Sequence, residues 1–158
     1  MVSMPETDIN QPPSFDLLNI STMTLATANT DGEPHAAPVY FAARQSPILP
    51  LELYFFSAPD SRHAQDLAAS PHAAAAIYPE TVGWKDIRGL QLHGMIRRLE
   101  AGTAWEAAWQ VYLEKFPFTG LMKAIIAMNA LYALRPTWVR LVDNRQGFGF
   151  KQEWILDA

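Results

Sequence analysis

The segment from Leu53 to Tyr78, LYFFSAPDSRHAQDLAASPHAAAAIY, constrains the fold most strongly. It opens with an aromatic run of the kind that packs well in a pleated sheet, and the turn-forming residues 57–60 interrupt that run. Asp60 is placed to cap a helix, in which alanine and leucine recur at helical spacing until Ser70-Pro71 ends it. Ala73–Tyr78 then predicts a second, fully buried strand. The predicted order is strand, tight turn, short helix, strand.

The start of this helix is a candidate anion site. The first backbone N–H groups of a helix have no intrahelical acceptor, and the helix dipole is positive at that end. Ser57, Ser61, Arg62 and His63 lie beside those groups in the sequence. Two interpretations of Arg62 stay open: it binds an anion, or it is a solvated residue of the first turn, where a cation opposes the dipole. A capping Asp60 would compete with an anion for the same N–H groups.

Composition excludes several function classes. The chain has 158 residues, of which 49% are hydrophobic and 18% charged, which predicts a folded globule of one domain. The net charge of −4, with no basic cluster beyond Arg97-Arg98, argues against nucleic-acid binding. There is no cysteine, so disulfides, thiol nucleophiles and thiolate metal sites are excluded. We expect a soluble cytoplasmic protein with no membrane partner, because no signal peptide is recognisable and the apolar run Leu121–Leu134 is too short to span a bilayer.

The rest of the chain predicts a mainly β protein with helical insertions. Residues 1–13 are predicted to be a flexible N-terminal tail, and residues 14–158 a single domain that begins with one or two helical turns in which Phe15 and Leu18 face inward. An Asp-Gly pair within Asn29–Glu33 predicts a hairpin. The predicted strands outside the opening segment are Thr22–Ala28, Pro34–Ala43, Asp86–Glu100, Thr137–Val142 and Phe148–Leu156, and the predicted helices are Thr103–Lys115 and Gly120–Asn129. Prolines at 34 and 38 place the return strand of the hairpin at an edge or a bulge.

Three segments then resemble a known superfamily by their order and spacing. They are TMTLATANTDGEPHAAPVYFA, the opening segment, and IRGLQLHGMIRRLE, and together they resemble the pyridoxamine-phosphate-oxidase-like, FMN-binding split β-barrel proteins. The tail DNRQGFGFKQEW, with KFP at Lys115–Pro117, is similar to a small bacterial branch of that superfamily. The resemblance implies a split β-barrel of about six or seven antiparallel strands, and a homodimer that holds two FMN molecules in clefts between its subunits.

The resemblance also assigns cofactor-binding roles. It implies that Ser57, Ser61 and Arg62 face the FMN phosphate, with His63 at the place of a further basic residue. The strand around Pro38, Val39 and Tyr40 would follow the flavin ring, and Arg88 and Gln91 would lie on the strand that borders the flavin. Phe56 belongs to the same predicted cleft, and Lys151 in the tail is the best candidate for an additional charge toward phosphate or substrate.

Two departures from the family pattern matter for this prediction. Where the oxidases carry an Arg and a Lys on the second strand, this chain has Ala37 and Ala42. Each lost charge-assisted bond is worth about 1.5–3 kcal/mol. The residues with which the true oxidases bind the substrate phosphate have no match either, so vitamin B6 oxidation is not expected.

The first functional hypothesis is an FMN-dependent oxidoreductase in which the flavin supplies the redox chemistry and no catalytic residue is identified. The alternatives are a non-catalytic flavin-binding or carrier protein, and a split barrel that binds haem or a deazaflavin. The histidines are His35, His63, His72 and His93. None of them forms a spaced pair, so no metal site is predicted, although one of them at the cleft would suit an axial haem ligand.

Overall fold

The structure is a computed structural model that describes residues 16–157. Its strands form one antiparallel sheet. The strands are β1 Thr22–Ala28, β2 Pro34–Tyr40, β3 Ala42–Arg44, β4 Glu52–Ser57, β5 His72–Ile77, β6 Arg88–Leu99, β7 Ala130–Asp143 and β8 Lys151–Ile155. The α-helices are α1 Arg62–Ala69, α2 Thr103–Lys115 and α3 Lys123–Ala127, and short 3-10 turns cover Asp16–Asn19, Trp84–Asp86, Pro117–Leu121 and Asn144–Gln146.

The sheet curls back on itself. Its strand order is β2-β1-β5-β6-β7-β4-β3, and β8 pairs with β7 beside this path. The two ends of the path, β2 and β3, are consecutive in the chain and are joined at the fully buried Phe41. The predicted split barrel with helical insertions is therefore confirmed. The strand predicted as Pro34–Ala43 is divided at Phe41, because its first part pairs with β1 and its second part with β4.

Apolar side chains from all parts of the sheet fill the interior of the barrel. Leu25, Phe55, Ile77 and Leu134 are fully buried there, and Ala64 of α1 packs against the same core. Burial of each large side chain contributes about 1.5–3 kcal/mol.

Helix α2 packs on the outside of the sheet instead. Its Ala108 joins Tyr54 and Leu131 in one buried cluster, and its Tyr112 joins Ala42 in another. The bounds predicted for this amphipathic helix are those observed.

Several local predictions were wrong. Strand β5 is buried on one face only: Ala73, Ala75 and Ile77 point inward and Ala74 is exposed, because the other face of the sheet is uncovered here. Only part of the predicted helix Gly120–Asn129 is helical. Its start belongs to the 3-10 turn Pro117–Leu121, and its middle forms the five-residue helix α3, in which no residue is buried. The last long strand begins at Ala130 rather than Thr137, because β4 and β6 both pair with its first half.

At the N-terminal end, the predictions for residues 1–13 and for Phe15 lie outside the described residues. Leu17 and Leu18 are both buried in the first 3-10 turn. Lys115 holds this turn, because its Nζ donates to the carbonyls of Leu18 (3.0 Å) and Ile20 (2.6 Å). Among residues 16–157, no helix combines the length and the apolar character needed to cross a bilayer.

A β-bulge divides the longest strand pair. The register between β6 and β7 shifts between His93 and Gly94. A Cβ atom at position 94 would lie 2.0 Å from the carbonyl oxygen of Arg135, so the close approach of the two backbones requires glycine. The bulge also places Arg135 and Trp138 on the same outward face, although they are three residues apart.

Candidate functional site

Four predicted residues meet where β4 ends and α1 begins: Ser57, Ser61, Arg62 and His63, here called the α1 cluster. The Oγ of Ser57 lies 2.5 Å from Nε2 of His63 and 3.1 Å from Oγ of Ser61. Ser61 caps the helix, since its Oγ accepts from the backbone N–H of Ala64 at 3.2 Å. The prediction that Asp60 caps this helix was therefore wrong.

His63 is buried, as is Ser57. Burial lowers its pKa, and the neighbouring His35 lowers it further. The two imidazole rings are stacked with their centroids 6.3 Å apart, which places His35 of β2 against the cluster. At neutral pH, His63 is therefore a hydrogen-bonding group rather than a fixed positive charge.

Arg62 is the cation of the cluster, and two carboxylates share it. Its Nε donates to Oδ1 of Asp66 at 3.2 Å, and one terminal nitrogen lies 3.8 Å from Glu33. Asp66 is buried and also accepts from the Thr27 hydroxyl at 2.8 Å. Burial raises the pKa of Asp66, but the hydrogen bonds from Thr27 and Arg62 outweigh this effect and hold it below its usual value. The guanidinium is thus fixed through Nε, and one of its terminal nitrogens faces the exposed Glu33.

The two alanines that replace the family's basic residues occupy different environments. Ala37 lies on β2 in the same inward-pointing series as His35 and Val39, paired in register with Leu25. Ala42 belongs to β3 and is buried against Tyr112 and Phe116. The end of helix α2 therefore covers the second position.

The three residues predicted to follow the flavin ring lie on both faces of β2. Val39 is buried in the core, and Pro38 is exposed on the outer face. Tyr40 is exposed and contacts the Phe116 ring edge-on at 5.4 Å. Their backbone forms the edge of the sheet beyond β1.

The remaining predicted residues are not part of the α1 cluster. Phe56 lies under α2, in contact with Trp105, Trp109 and Tyr112. Arg88 binds Asp16 at 2.7 Å, at the far end of β6. Gln91 is exposed on the outer face between Ala76 and Arg140, and Lys151 begins β8 opposite Val142. Gln91 and Lys151 lie on the outer faces of β6 and β8, whereas Arg88 belongs to the inward-pointing series of β6 with Leu90, so the structure does not bring the three side chains together.

The outer face of the sheet carries a shallow groove with a volume of about 490 Å³. Its floor consists of small residues of β1 and β5, among them Ala26 and Ala74. Its walls carry His72, His93 and Met95, and the His93 ring stacks on Trp138 at 5.0 Å. In the described part of the chain, no group of three or more histidine, aspartate or glutamate side chains is arranged to hold a metal ion.

Sequence reasoning missed four residues around the α1 cluster: Thr27, Glu33, His35 and Asp66. The spacing of Arg62 and Asp66 by four residues on a helix was a usable signal, since such pairs meet on one helix face. The other three reach the cluster through the pairing of β1 with β2 and the packing of α1 on both strands.

Comparison with known proteins agrees with this architecture. Residues 16–143 match the family described as pyridoxamine 5'-phosphate oxidase. The chain belongs to this family. The UPF0306 protein YhbP of Salmonella schwarzengrund is 35% identical over 108 residues, which cover 67% of this chain and 68% of YhbP. The YhbP of Salmonella newport is equally similar.

Solved structures share the fold of this pyridoxamine 5'-phosphate oxidase family member at low sequence identity. A conserved hypothetical protein from Mycobacterium tuberculosis superposes with a TM-score of 0.69 at 19% identity, covering 83% of this chain and 82% of that chain. A heme binding protein from Mycobacterium smegmatis gives 0.70 at 22% identity, covering 94% and 62%. HutZ, a heme storage protein from Vibrio cholerae, gives 0.65 at 16% identity, covering 80% and 90%.

Proposed function

We propose that this protein binds FMN, and that it is an FMN-dependent oxidoreductase acting on a substrate other than pyridoxamine 5'-phosphate. The observation that carries the proposal is the α1 cluster. It combines two serine hydroxyls, the Arg62 guanidinium and the start of a helix, next to the edge strand β2. Hydroxyls, guanidinium groups and helix N-termini are the groups with which proteins hold phosphate.

The hydrogen-bond donors of this site suit a phosphate monoester, but its net charge does not favour one. The terminal nitrogens of Arg62 remain available once its Nε has bound Asp66, and its contact with the exposed Glu33 is loose. The two nearby carboxylates nevertheless offset the one cation, and position 37 adds no charge. We expect FMN to bind more weakly than in family members that carry the two further basic residues.

The cleft proposed for FMN needs a second copy of the chain. The α1 cluster and the predicted residues Arg88, Gln91 and Lys151 lie on different parts of one subunit. In a homodimer, Arg88 of one subunit would face the α1 cluster of its partner and close the cleft from the other side.

In this arrangement, the bound flavin supplies the redox chemistry. The residues of this chain bind and orient it: the α1 cluster would hold the phosphate end, and the backbone of β2 at residues 38–40 would meet the polar edge of the ring. His63 is held by Ser57, and its lowered pKa keeps it neutral near the phosphate end.

A flavin titration of Arg62→Ala tests the phosphate role. Loss of the guanidinium should weaken FMN binding by about 1–3 kcal/mol, which is roughly 5- to 150-fold in the dissociation constant. Arg98→Ala is the matched control, because Arg98 is 53% exposed against 41% for Arg62 and contacts Glu100 outside the cluster. An unchanged dissociation constant in Arg62→Ala would contradict the role.

Reduction of the bound flavin by a nicotinamide cofactor, and reoxidation by an acceptor, would separate an oxidoreductase from a flavin carrier.

Haem is the second candidate cofactor, because the outer groove contains side chains that can bind haem iron. The outer groove offers His93, His72 and Met95 above a floor of small residues, and the names of two structural neighbours refer to heme. Histidine and methionine are both haem ligands. A Soret band in the purified protein that is lost in His93→Ala but kept in His35→Ala would support haem. If neither FMN nor haem binds, a deazaflavin is the next cofactor to titrate.

A further inference from the structure

Three arginines converge on one glutamate at the opposite end of β4 from the α1 cluster. Arg44 of β3, Arg97 of β6 and Arg135 of β7 surround Glu52 of β4, and these four residues are here called the arginine cluster. One carboxylate oxygen of Glu52 accepts from Arg97 and Arg135, each at 3.1 Å. The other accepts from the Tyr54 hydroxyl at 2.9 Å and lies 3.4 Å from Arg44.

The cluster carries a positive excess. Burial raises the pKa of Glu52, but hydrogen bonds from Tyr54 and Arg97 and the charge of Arg44 bring it below its usual value. Glu52 is therefore ionised, and one negative charge faces three positive ones. Guanidinium groups repel one another at this range, so a second anion would stabilise the arrangement.

Unused hydrogen-bond donors point to the same conclusion. Arg44 and Arg135 each have an Nε atom that is buried and has no hydrogen-bond partner. Buried polar atoms of this kind are uncommon in native proteins and call for an explanation. Arg97 and Arg135 each reach Glu52 through a single terminal nitrogen, so neither guanidinium uses a paired edge on it.

The fold brings these side chains together from four separate strands. Arg44 pairs in register with Glu52, and Arg135 continues the outward-pointing series of Leu131 and Ala133 along β7. Helix α2 covers this face at the neighbouring Tyr54. The side chains of Arg44, Arg135 and Arg97 are 24%, 38% and 52% exposed, so a small ligand can reach their guanidinium groups from solvent, although the Nε atoms of Arg44 and Arg135 are themselves buried.

We propose that the arginine cluster is a second anion site, which binds the phosphate or carboxylate group of a small molecule. The paired N–H groups of a guanidinium edge match the oxygens of either group. Glu52 holds the three arginines in place, and Arg44 also donates to the carbonyl of Pro50 at 2.9 Å, so the donors left for the ligand are chiefly those of Arg97 and Arg135. The site lies about 17 Å along β4 from Ser57, so it does not depend on the FMN proposal.

Titration of the full-length protein with inorganic phosphate, followed by NMR of the arginine Nε–H signals, tests this site. We expect saturable shifts of the Arg44 and Arg135 signals, in wild type and equally in Arg62→Ala, which removes the cation of the α1 cluster. In Arg97→Ala the phosphate affinity should fall at least fivefold. Arg98→Ala is the control and should bind phosphate as wild type does, because its side chain lies on the other face of β6.

Arg97→Lys keeps the charge and removes the paired donors, so its affinity should lie between those of wild type and Arg97→Ala. A parallel titration with acetate separates the two ligand sources, since a phosphate ligand predicts tighter binding of phosphate and a carboxylate ligand the reverse. Non-saturable shifts, shifts reproduced by chloride at equal ionic strength, or an unchanged affinity in Arg97→Ala would overturn the proposal and leave the cluster a purely structural network.

Discussion

Arg62 divides its guanidinium between a buried carboxylate and an exposed one. Asp66 holds it at 3.2 Å through Nε, whereas Glu33 approaches a terminal nitrogen at 3.8 Å from solvent. The first contact orients the cation and the second competes with any anion that binds it. If the proposed phosphate site is correct, Glu33 of the hairpin turn weakens its affinity.

Glu33→Gln should tighten FMN binding. The substitution keeps the size of the side chain and its acceptor for Asn29 but removes the competing charge. Exposed ion pairs contribute about 0.2–1 kcal/mol, so we expect an improvement of up to about fivefold in a flavin titration. Asp31→Asn removes a carboxylate from the same turn, with no contact to Arg62, and should leave the affinity unchanged. Weaker binding in Glu33→Gln would show that Glu33 supports the site.

Asp143 is a buried carboxylate that links stability to pH. Hydrogen bonds from Arg145 lower its pKa from 3.8 to about 2, and burial offsets only part of this effect. A carboxyl group whose pKa is lower in the folded state stabilises the protein above its unfolded pKa, and this contribution disappears as the pH falls toward the folded value.

Asp143→Asn should therefore destabilise the protein by about 1 kcal/mol at pH 7, allowing for the solvent exposure of Arg145. Urea unfolding at a series of pH values measures this. The difference between wild type and the variant should shrink as the pH falls from about 4 to about 2. The exposed Asp157 gives the control Asp157→Asn, and a difference that stays constant down to pH 2 would contradict the assignment.

At the scale of elements, the bulge between β6 and β7 determines which side chains face outward. It depends on Gly94, whose backbone packs against the carbonyl of Arg135. Both the groove that contains His93 and the arginine cluster that contains Arg135 lie beside this irregularity.

Gly94→Ala should destabilise the protein by at least about 2 kcal/mol, because the added Cβ would lie 2.0 Å from the Arg135 carbonyl oxygen and the strands would have to separate. Thermal or urea unfolding measures the loss. Gly83→Ala is the matched control, since a Cβ there meets no atom closer than 3.6 Å. Equal stability of the two variants would contradict this prediction, because it would mean that the strands accommodate the added Cβ at the bulge with no loss of stability.

The elements also show what sequence reasoning was able to predict. Strand β1 and helix α2 were predicted with their observed bounds, because hairpin chemistry and amphipathic spacing are local signals. The apolar run Leu121–Leu134 fits a helix and a strand equally well, and pairing with β4 and β6 decides that its second half is strand. The stacking of His35 on His63 likewise depends on contacts between distant segments, so only Arg62 and its neighbours were predictable as a cluster.

At the scale of the whole molecule, we propose that each cofactor cleft is built from two subunits. Dimers that combine two different variants test whether the clefts are shared. Arg62→Ala and Arg88→Ala should each bind FMN weakly, because each damages one side of both clefts. If the two variants exchange subunits at random, about half of the dimers are mixed, and each mixed dimer has one cleft without any substitution. About a quarter of all clefts should then regain wild-type affinity.

The control mixes Arg62→Ala with Ser57→Ala, which lie on the same side of the cleft, so every cleft keeps a substitution. Recovery in the first mixture but not in the second supports the shared cleft. No recovery in the first mixture, once sedimentation has confirmed that mixed dimers form, would contradict it.

The junction at Phe41 has a consequence for how fast the chain folds. Since β2 and β3 are consecutive but lie at opposite ends of the strand order, the barrel closes only when β4 finds β7, and these partners lie roughly 75 residues apart in the chain. The hairpin of β1 and β2 forms from neighbouring residues and needs no such search. Refolding should therefore be limited by long-range closure, in the millisecond-to-second range typical of β-rich domains, with the arginine cluster among the last features to assemble.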